Sequence, residues 1–442
     1  MNDPLDQFAP LLDPEHMAVA LQQHLPECAT GEWHISDCDI QHPRYKTYLS
    51  PENRERSFLS LVYHLRGRLP SSPALENRIL YARAYLGDRS LREFEAARSV
   101  LRQDSMSAVL HLSGLGVVGW RFPDDPAMPW LAQLMRAENA ATLIPLDDTL
   151  RLEGCDELEG IEIVNYRPEI RCTARYRFRS TDTPKQSVVY GKTYADESGR
   201  EIYENSQELR RQSRLPHAFA IPRALGYDPG HHTLWLEGLQ GKPLKEALFQ
   251  DGCEALVDGL CKGLSAFDEV SLPHLEAITP EQHLQEWRKK AQKLAHAYAE
   301  CGDLLQSLLA DLQQSCPEPE ESRLIHGDFH IDQLALLGDG RLALFDFDEL
   351  ALGDPLQDLA NFAADLNSYA MPVADIDRLL EQLFAAYRRA SVRRVDANRF
   401  VWHLRGQLLT RAYRTHIQQK TDAKQRVAQL IALARRHWPY AD

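Results

Sequence analysis

The segment LIHGDFHIDQLALLGDGRLALFDFDEL, residues 324–350, places six carboxylates, two histidines and a glutamine around two short apolar runs. The Gly-Asp-Gly turn at 338–340, between the two runs, predicts a β-hairpin. Buried strands rarely carry so many acids at their ends, because a buried carboxylate needs a partner. The segment therefore predicts a functional site at the ends of one hairpin.

The spacing of the polar residues in this segment predicts their roles. In an extended chain, residues two apart point to the same side, so Asp346 and Asp348 are expected to face one ion while Phe347 enters the core. Together with the amide oxygen of Gln333, these carboxylates form a hard oxygen set suited to Mg²⁺. Asp328 is left to accept a proton from a substrate hydroxyl.

The pattern around this segment predicts an α+β protein. Short alternating or apolar stretches predict the strands of a small sheet at 161–164, 173–178, 187–194 and 233–237. A helix is predicted at 201–212, between the third and fourth strands. Helical spacing dominates the chain after that, at 281–314, 355–370, 376–390, 396–418 and 422–436.

A lysine lies in the middle of the third predicted strand. Lys192 has apolar neighbours and needs a partner, and Glu204 and Glu208 share one face of the following helix. Either glutamate could pair with the lysine, and the sequence leaves that choice open. A lysine–glutamate pair, metal-binding acids and amides, and an aspartate base are together the components of phosphoryl transfer.

The N-terminal 145 residues contain a second copy of this pattern. Residues 77–99 align without gaps over 186–208, which places Tyr85 on Tyr194 and Arg83 on Lys192. We interpret the first copy as a degenerate repeat of the sheet-and-helix module. It lacks an acid-rich hairpin of its own, so it is expected to be a cap rather than a second active unit.

Over roughly residues 160–420 the chain resembles the aminoglycoside phosphotransferase and choline-kinase-like family, whose members are relatives of protein kinases. The motifs that carry the resemblance are HGDFHIDQ, LFDFD and GDPLQDLANF (353–362). The resemblance implies a protein-kinase-like bilobal fold, with a small antiparallel N-lobe and a mostly helical C-lobe, that uses ATP and Mg²⁺. It implies that Asp328 is the catalytic base and that Lys192 contacts the phosphates. It implies that Gln333 and Asp346 bind the metal ion. It also implies that the hinge segment at Leu236, Glu237 and Leu239 contacts the adenine.

Two features depart from the usual pattern of that family. Gln333 stands where most members carry Asn, and here the chain resembles maltokinase-like and glucosamine-kinase-like members, which have HGDxHxxQ and an N-terminal cap. This similarity favours a carbohydrate acceptor. The Gly-rich phosphate loop is absent, and its place is taken by NYRPEIRC (165–172), whose Arg167 and Arg171 are candidates for phosphate contacts.

Several polar residues near the motifs are predicted to be structural. Asp354, which precedes a proline, is expected to cap a helix, and Asp358 is expected to brace the catalytic loop. We expect loop packing or salt bridges, and not catalysis, for His326, His330, Arg411 and Arg414.

The expected domains are a cap (1–145), an N-lobe (146–238) and a C-lobe (239–442). The predicted function is ATP-dependent phosphorylation of a small-molecule hydroxyl, with a sugar or amino sugar as acceptor. The alternatives are a catalytically silent nucleotide-binding scaffold and a protein kinase, although no A-P-E-like segment follows Asp346.

A net charge of −14 argues against nucleic-acid binding. The absence of an apolar leader, of a membrane-spanning stretch and of paired cysteines predicts a cytoplasmic protein. Oligomeric state and nucleotide preference stay open.

Overall fold

A computed structural model describes residues 7–100, 109–146, 154–212, 218–250, 252–267, 269–369, 372–419 and 422–439. The chain forms two compact units. The first comprises Met1–Ala140, Tyr166–Cys172 and Arg414–Lys424, and the second comprises Ala141–Asn165, Thr173–Tyr413 and Gln425–Asp442. Each unit has its own sheet.

The sheet of the first unit has five antiparallel strands in the order β1-β2-β3-β5-β4. The strands are β1 (His34–Lys46), β2 (Phe58–Arg68), β3 (Leu75–Tyr85), β4 (Val109–Leu112) and β5 (Val117–Arg121). The helices that begin in this part of the chain are α1 (Pro14–His24), α2 (Pro26–Ala29), α3 (Arg89–Val100), α4 (Leu131–Leu134) and α5 (Ala137–Leu143). Buried side chains of α1, β1, β2 and β3 form one apolar cluster around Trp33 and Tyr63.

The sheet of the second unit has the order β6-β7-β8-β10-β9. Its strands are β6 (Cys155–Arg167), β7 (Arg171–Ser180), β8 (Gln186–Tyr194), β9 (Ala224–Asp228) and β10 (Thr233–Glu237), and α6 (Ser198–Arg211) follows β8. The predicted alternation in β7 is confirmed, because Ala174, Tyr176 and Phe178 are all buried. The prediction did not include β9.

The two sheets share a strand order, and in each a helix follows the third strand directly. Arg83 of β3 pairs with Val118 of β5, and Lys192 of β8 pairs with Leu234 of β10. The aligned Arg83 and Lys192 therefore hold the same place in their sheets. The interpretation of this match as a degenerate repeat stays a prediction.

The rest of the second unit is mostly helical, and the expected α+β class is confirmed. The helices of this part of the chain are α7 (Lys245–Leu248), α8 (Glu254–Phe267), α9 (Pro280–Ala297), α10 (Gly302–Gln314), α11 (Leu356–Leu366), α12 (Val373–Ala390), α13 (Ala397–Gln418) and α14 (Ala423–Arg435). The end of α13 and the start of α14 belong to the first unit. The stretch expected as one helix over 281–314 is two helices, because a short 3₁₀ turn at Ala299–Cys301 separates them.

Five short strands complete this part of the chain. They are β11 (Gly241–Pro243), β12 (Arg323–Ile325), β13 (Leu334–Leu337), β14 (Leu342–Leu344) and β15 (Ala351–Gly353). The predicted hairpin is confirmed as β13 and β14, and β11 adds a third strand to it. β12 pairs with β15, so the segment before the hairpin is joined to the chain after it.

All eight cysteines are free thiols. In the part of the chain that the structure describes, no helix is both long enough and apolar enough to cross a bilayer.

Candidate active site

The site lies where the hairpin β13–β14 meets strand β8. The Lys192 ammonium is 2.5 Å from Asp346 Oδ1 and 2.5 Å from Asp348 Oδ1. The lysine side chain is only 8% exposed. A buried ammonium is stable only when it is paired, so these two carboxylates account for a lysine inside an apolar strand.

The backbone between the two aspartates differs from the extended chain that the sequence predicts. Asp346 has φ 65°, in the left-handed region, and Phe347–Glu349 forms a 3₁₀ turn. The turn still directs both carboxylates to one ammonium, and Phe347 is buried as expected. A non-glycine residue in this conformation is unfavourable by about 1–2 kcal/mol, so the surrounding contacts must hold it there.

Tyr194 is a site residue that the sequence analysis did not identify. Its hydroxyl lies 3.1 Å and 3.2 Å from the two oxygens of Asp348. The strand period could have predicted this contact, because Tyr194 is two residues from Lys192 and therefore on the same side of β8.

Gln333 joins the hairpin to the loop that carries Asp328. Its amide nitrogen lies 3.1 Å from Asp346 Oδ2 and 3.3 Å from His330 Nε2. The same imidazole nitrogen is 3.6 Å from Asp328 Oδ2. The structure thus brings Asp328, Gln333 and Asp346 together, with His330 packed between them.

Asp358, at the start of α11, fixes the backbone of this loop. Its carboxylate accepts hydrogen bonds from the backbone N–H groups of His326 (2.6 Å) and Gly327 (3.0 Å). Complete burial raises the pKa of Asp358 to about 6, although the two amide donors favour the charged form. His326 is buried and donates to the carbonyl of Phe345 at 2.9 Å. The structural roles predicted for Asp358 and His326 are both confirmed.

A second acid on α11 anchors the other end of the loop. Asp365 accepts a hydrogen bond from Ile331 N at 3.2 Å and forms a 2.9 Å ion pair with Arg411. The expectation that Arg411 is salt-bridged is therefore confirmed.

Asp354 caps α11, as predicted, by accepting from Leu356 N at 3.0 Å. It also contacts Arg399 at 2.6 Å and His403 at 3.1 Å. Burial opposes the charge of Asp354, but the contacts with His403 and Arg399 hold its pKa below the usual range.

The expected pairing of Lys192 with a glutamate of α6 is not formed. Glu208 contacts Arg211 at 2.9 Å and Gln212 at 3.0 Å, and Glu204 is exposed. Lys192 is instead neutralised by Asp346 and Asp348, each 2.5 Å from its ammonium.

The predicted hinge follows directly from strand β10. Leu236 pairs with Tyr190 in the sheet, and the Glu237 side chain binds Arg223 at 3.1 Å. The hinge then continues through Leu239, which is half-buried. Nucleotide binding at these residues stays a prediction.

Arg167 and Arg171 flank the turn between β6 and β7, which belongs to the first unit, as does Arg414. In that turn, Glu169 forms an ion pair with Arg83. The phosphate contacts suggested for Arg167 and Arg171 stay a prediction.

The donor chemistry of the site fits a divalent cation. No group of three or more His, Cys, Asp or Glu side chains in the described ranges is arranged to hold a metal. The amide nitrogen of Gln333, however, contacts the Asp346 carboxylate, and Asp346 shares the Lys192 ammonium with Asp348. These three side chains carry oxygen atoms of the kind that Mg²⁺ prefers. Asp328, Asp346 and Asp348 outweigh the single charge of Lys192, so a bound cation would improve the local charge balance.

Comparison with known proteins gives one family match. Residues 190–397 match the profile of the phosphotransferase enzyme family, and this confirms the resemblance found in the sequence. No curated protein matches the chain significantly.

Three solved structures illustrate the similarity. A thermostable mutant of aminoglycoside phosphotransferase APH(4)-Ia has 15% identity and TM-score 0.44, over 66% of this chain and 100% of that chain. Spectinomycin phosphotransferase in complex with ADP and spectinomycin has 12% identity and TM-score 0.44, over 63% of this chain and 93% of that chain. Macrolide 2'-phosphotransferase from Brachybacterium faecium has 16% identity and TM-score 0.41, over 64% of this chain and 95% of that chain.

Proposed function

We propose that this chain, whose residues 190–397 match the profile of the phosphotransferase enzyme family, transfers the γ-phosphate of ATP to a hydroxyl group of a sugar or amino sugar. The observation that carries the proposal is the convergence of Lys192, Asp346 and Asp348 within 2.5 Å, next to the loop of Asp328 and Gln333. One cluster thus combines a cation for phosphate, an oxygen set for metal and an acid for the acceptor.

Asp328 is the residue that acts on the acceptor. Its side chain is 26% exposed, so an acceptor hydroxyl can reach it, while Asp358 holds the backbone on its N-terminal side. Asp328 accepts or orients the hydroxyl proton as the oxygen attacks phosphorus. The fixed loop keeps the reacting groups in place, and positioning of this kind supplies much of the rate increase.

Lys192 binds the phosphate oxygens of the nucleotide, and the hinge at Leu236, Glu237 and Leu239 meets the adenine. Gln333, Asp346 and Asp348 are the residues that would hold Mg²⁺. When bound, Mg²⁺ supplies positive charge that balances the phosphate oxygens during transfer. Tyr194 keeps the Asp348 carboxylate in one orientation through its hydroxyl.

A carbohydrate acceptor is the finer part of the proposal. It is supported by the similarity of HGDFHIDQ to the motif of maltokinase-like and glucosamine-kinase-like members. Gln333 reaches one methylene further than the usual asparagine and keeps the same amide chemistry.

An ADP-release screen over free sugars, amino sugars, aminoglycosides and amino alcohols tests the proposal. Asp328→Ala and Asp346→Ala should lower turnover by about 10²-fold or more while the fold is kept, as judged by circular dichroism. Asp339→Asn is the matched control. Asp339 is an exposed acid of the same hairpin, and Arg341 is its hydrogen-bond partner among the described residues. Its loss should leave turnover unchanged.

The screen also separates the rival functions. ATP that stabilises the protein without any ADP release across the panel would identify a silent nucleotide-binding scaffold. Near-wild-type turnover in Asp328→Ala would refute the mechanism, and release with amino alcohols alone would refute the carbohydrate acceptor.

A further inference from the structure

Asp332 is an exposed acid in the loop that carries Asp328. Within residues 326–333, all of which the structure describes, only Asp332 is exposed, and its side chain is 54% accessible to solvent. It lies four positions after Asp328 and directly before Gln333. No role in phosphate or metal binding has been given to it above. Its carboxylate is therefore available to a molecule that approaches this loop from solvent.

Two side chains from distant segments converge on the Asp332 carboxylate. The Lys245 ammonium, at the start of α7, lies 3.2 Å from Oδ1, and the Tyr369 hydroxyl, just after α11, lies 3.5 Å from Oδ2. Burial and the charges of Asp365 and Asp332 raise the pKa of Tyr369, so its hydroxyl keeps the proton that it donates. The cluster thus combines a carboxylate, a cationic donor and a neutral donor.

The rings of Phe249 and Tyr369 form the apolar part of the cluster. Their centroids are 5.5 Å apart and their planes are inclined by 54°. Both residues are half-buried, so each keeps part of its surface open to solvent. Sites for small molecules commonly combine aromatic surface with a few polar groups that fix the orientation of the ligand. This cluster has that composition.

Backbone contacts fix α7 beside the loop. β11, which precedes α7, pairs with β13 of the hairpin, and the Leu244 N–H donates to the carbonyl of Leu334 at 3.1 Å. Lys245 directly follows Leu244, so its position is set by the same contacts that hold the hairpin. The lysine is thus held close to Asp332 by the fold and not by the ion pair alone.

The loop does not need the Asp332 ion pair for its own stability. Asp358 and Asp365 already accept hydrogen bonds from backbone N–H groups of the loop. The side chains of Lys245 and Asp332 are 47% and 54% exposed, and pairs with this exposure contribute little to folding because solvent screens them. Such a pair can exchange its contact for the hydroxyl groups of a ligand at small cost.

We propose that Asp332 and Lys245 bind the acceptor through hydroxyl groups other than the one that is phosphorylated. The inference rests on the proposed function, because that function places the acceptor beside Asp328. Asp332 accepts from one hydroxyl group, Lys245 donates to a neighbouring oxygen, and the Phe249 ring packs against the C–H face of the acceptor. Tyr369 is a positioning residue that keeps the Asp332 carboxylate in one orientation.

Steady-state ADP release tests the proposal, with the panel member that releases ADP fastest in the screen described above as acceptor. Asp332→Ala should raise the KM for this acceptor about tenfold, the expected effect of losing one charged hydrogen bond. The KM for ATP should change less than twofold. Lys245→Met should raise the KM for the acceptor severalfold, and it decides the test should Asp332→Ala not fold.

Asp339→Ala and Lys242→Met are the matched controls. Asp339 is 51% exposed and binds Arg341 at 2.7 Å, so its loss removes the same charge and the same kind of ion pair from the neighbouring turn. Lys242 is exposed on β11, three residues before Lys245. Both controls should keep the wild-type KM for the acceptor.

Monodeoxy analogues of the acceptor distinguish a direct contact from an indirect effect. Loss of the hydroxyl group that Asp332 binds should raise the KM of wild type about tenfold. The same analogue should have little further effect on Asp332→Ala, because the contact is already lost in that variant. A purely structural role of Asp332 would not produce this coupling.

The proposal is overturned if Asp332→Ala keeps the wild-type KM for the acceptor. A rise in the KM for ATP alone would also overturn it, since the cluster would then face the nucleotide, and so would the same loss with every analogue in wild type and Asp332→Ala. These outcomes leave the proposed function intact, whereas absence of ADP release across the whole screen refutes that function and this inference together.

Discussion

Substitution of Gly327 by alanine tests whether the position of the loop that carries Asp328 controls turnover, as the proposed function requires. Gly327 has φ 81°, and a Cβ built there would lie 2.0 Å from the carbonyl oxygen of Glu349. An ordinary carbon–oxygen contact is about 3.3 Å, so one of the two segments must move by about 1.3 Å. Both segments belong to the site, because Asp328 follows the first and Asp348 precedes Glu349.

The size of the effect follows from two contributions. The left-handed conformation costs about 1–2 kcal/mol for a residue with a side chain, and the overlap adds about 1–3 kcal/mol. We expect Gly327→Ala to lower the free energy of unfolding by about 2–5 kcal/mol. A displacement of about 1 Å at Asp328 should lower kcat about 10²-fold.

Gly340→Ala is the control for backbone conformation. Gly340 has φ 84°, and no heavy atom lies within 4 Å of a Cβ built on it. This variant should lose about 1–2 kcal/mol of stability from the left-handed conformation alone and should keep its kcat.

Urea unfolding and ADP release should be measured on both variants at a saturating concentration of the best acceptor. If Gly327→Ala folds and its kcat is within twofold of that of Gly340→Ala, the catalytic loop tolerates displacement. The positioning argument would then be refuted.

Asp358→Asn should lower the free energy of unfolding by about 1–3 kcal/mol, because its new NH₂ group would face a backbone N–H donor; an unchanged urea midpoint would contradict this. Tyr194→Phe removes the hydroxyl contact with Asp348 and should raise the KM for Mg·ATP severalfold with little change in the urea midpoint, and an unaltered KM would argue against the contact. Burial lowers the pKa of His283 from 6.5 to about 4, so the folded state resists a proton that the unfolded state accepts. Stability present above pH 6.5 should therefore fall by about 3 kcal/mol toward pH 4. His283→Gln should lose that part of the pH dependence in urea unfolding between pH 4 and 6.5, whereas an unchanged slope would show that other groups cause it.

The sequence predicts those parts of the molecule that local patterns determine. Strand period located β7 and β8, and the Gly-Asp-Gly turn located the hairpin, because each signal lies within one element. The motif spacing also placed Asp328, Gln333 and Asp346 in one neighbourhood.

The parts that were missed depend on contacts between distant segments. Lys192 and Asp348 are 156 residues apart, and no local pattern shows that hairpin aspartates, rather than a glutamate of α6, reach the lysine. The left-handed turn at Asp346 was missed for a similar reason, since tertiary contacts hold a conformation that the residue itself disfavours.

Helix α11 is enclosed on all sides, since every residue from Leu356 to Leu366 is buried. Asp358 and Asp365, seven positions apart, lie on one side of it and serve the same loop. Because this helix has no solvent-exposed face, substitutions on it would disturb the packing and the loop contacts of Asp358 and Asp365. Under the proposed function, engineering of acceptor choice should therefore leave α11 intact and vary the surrounding loops.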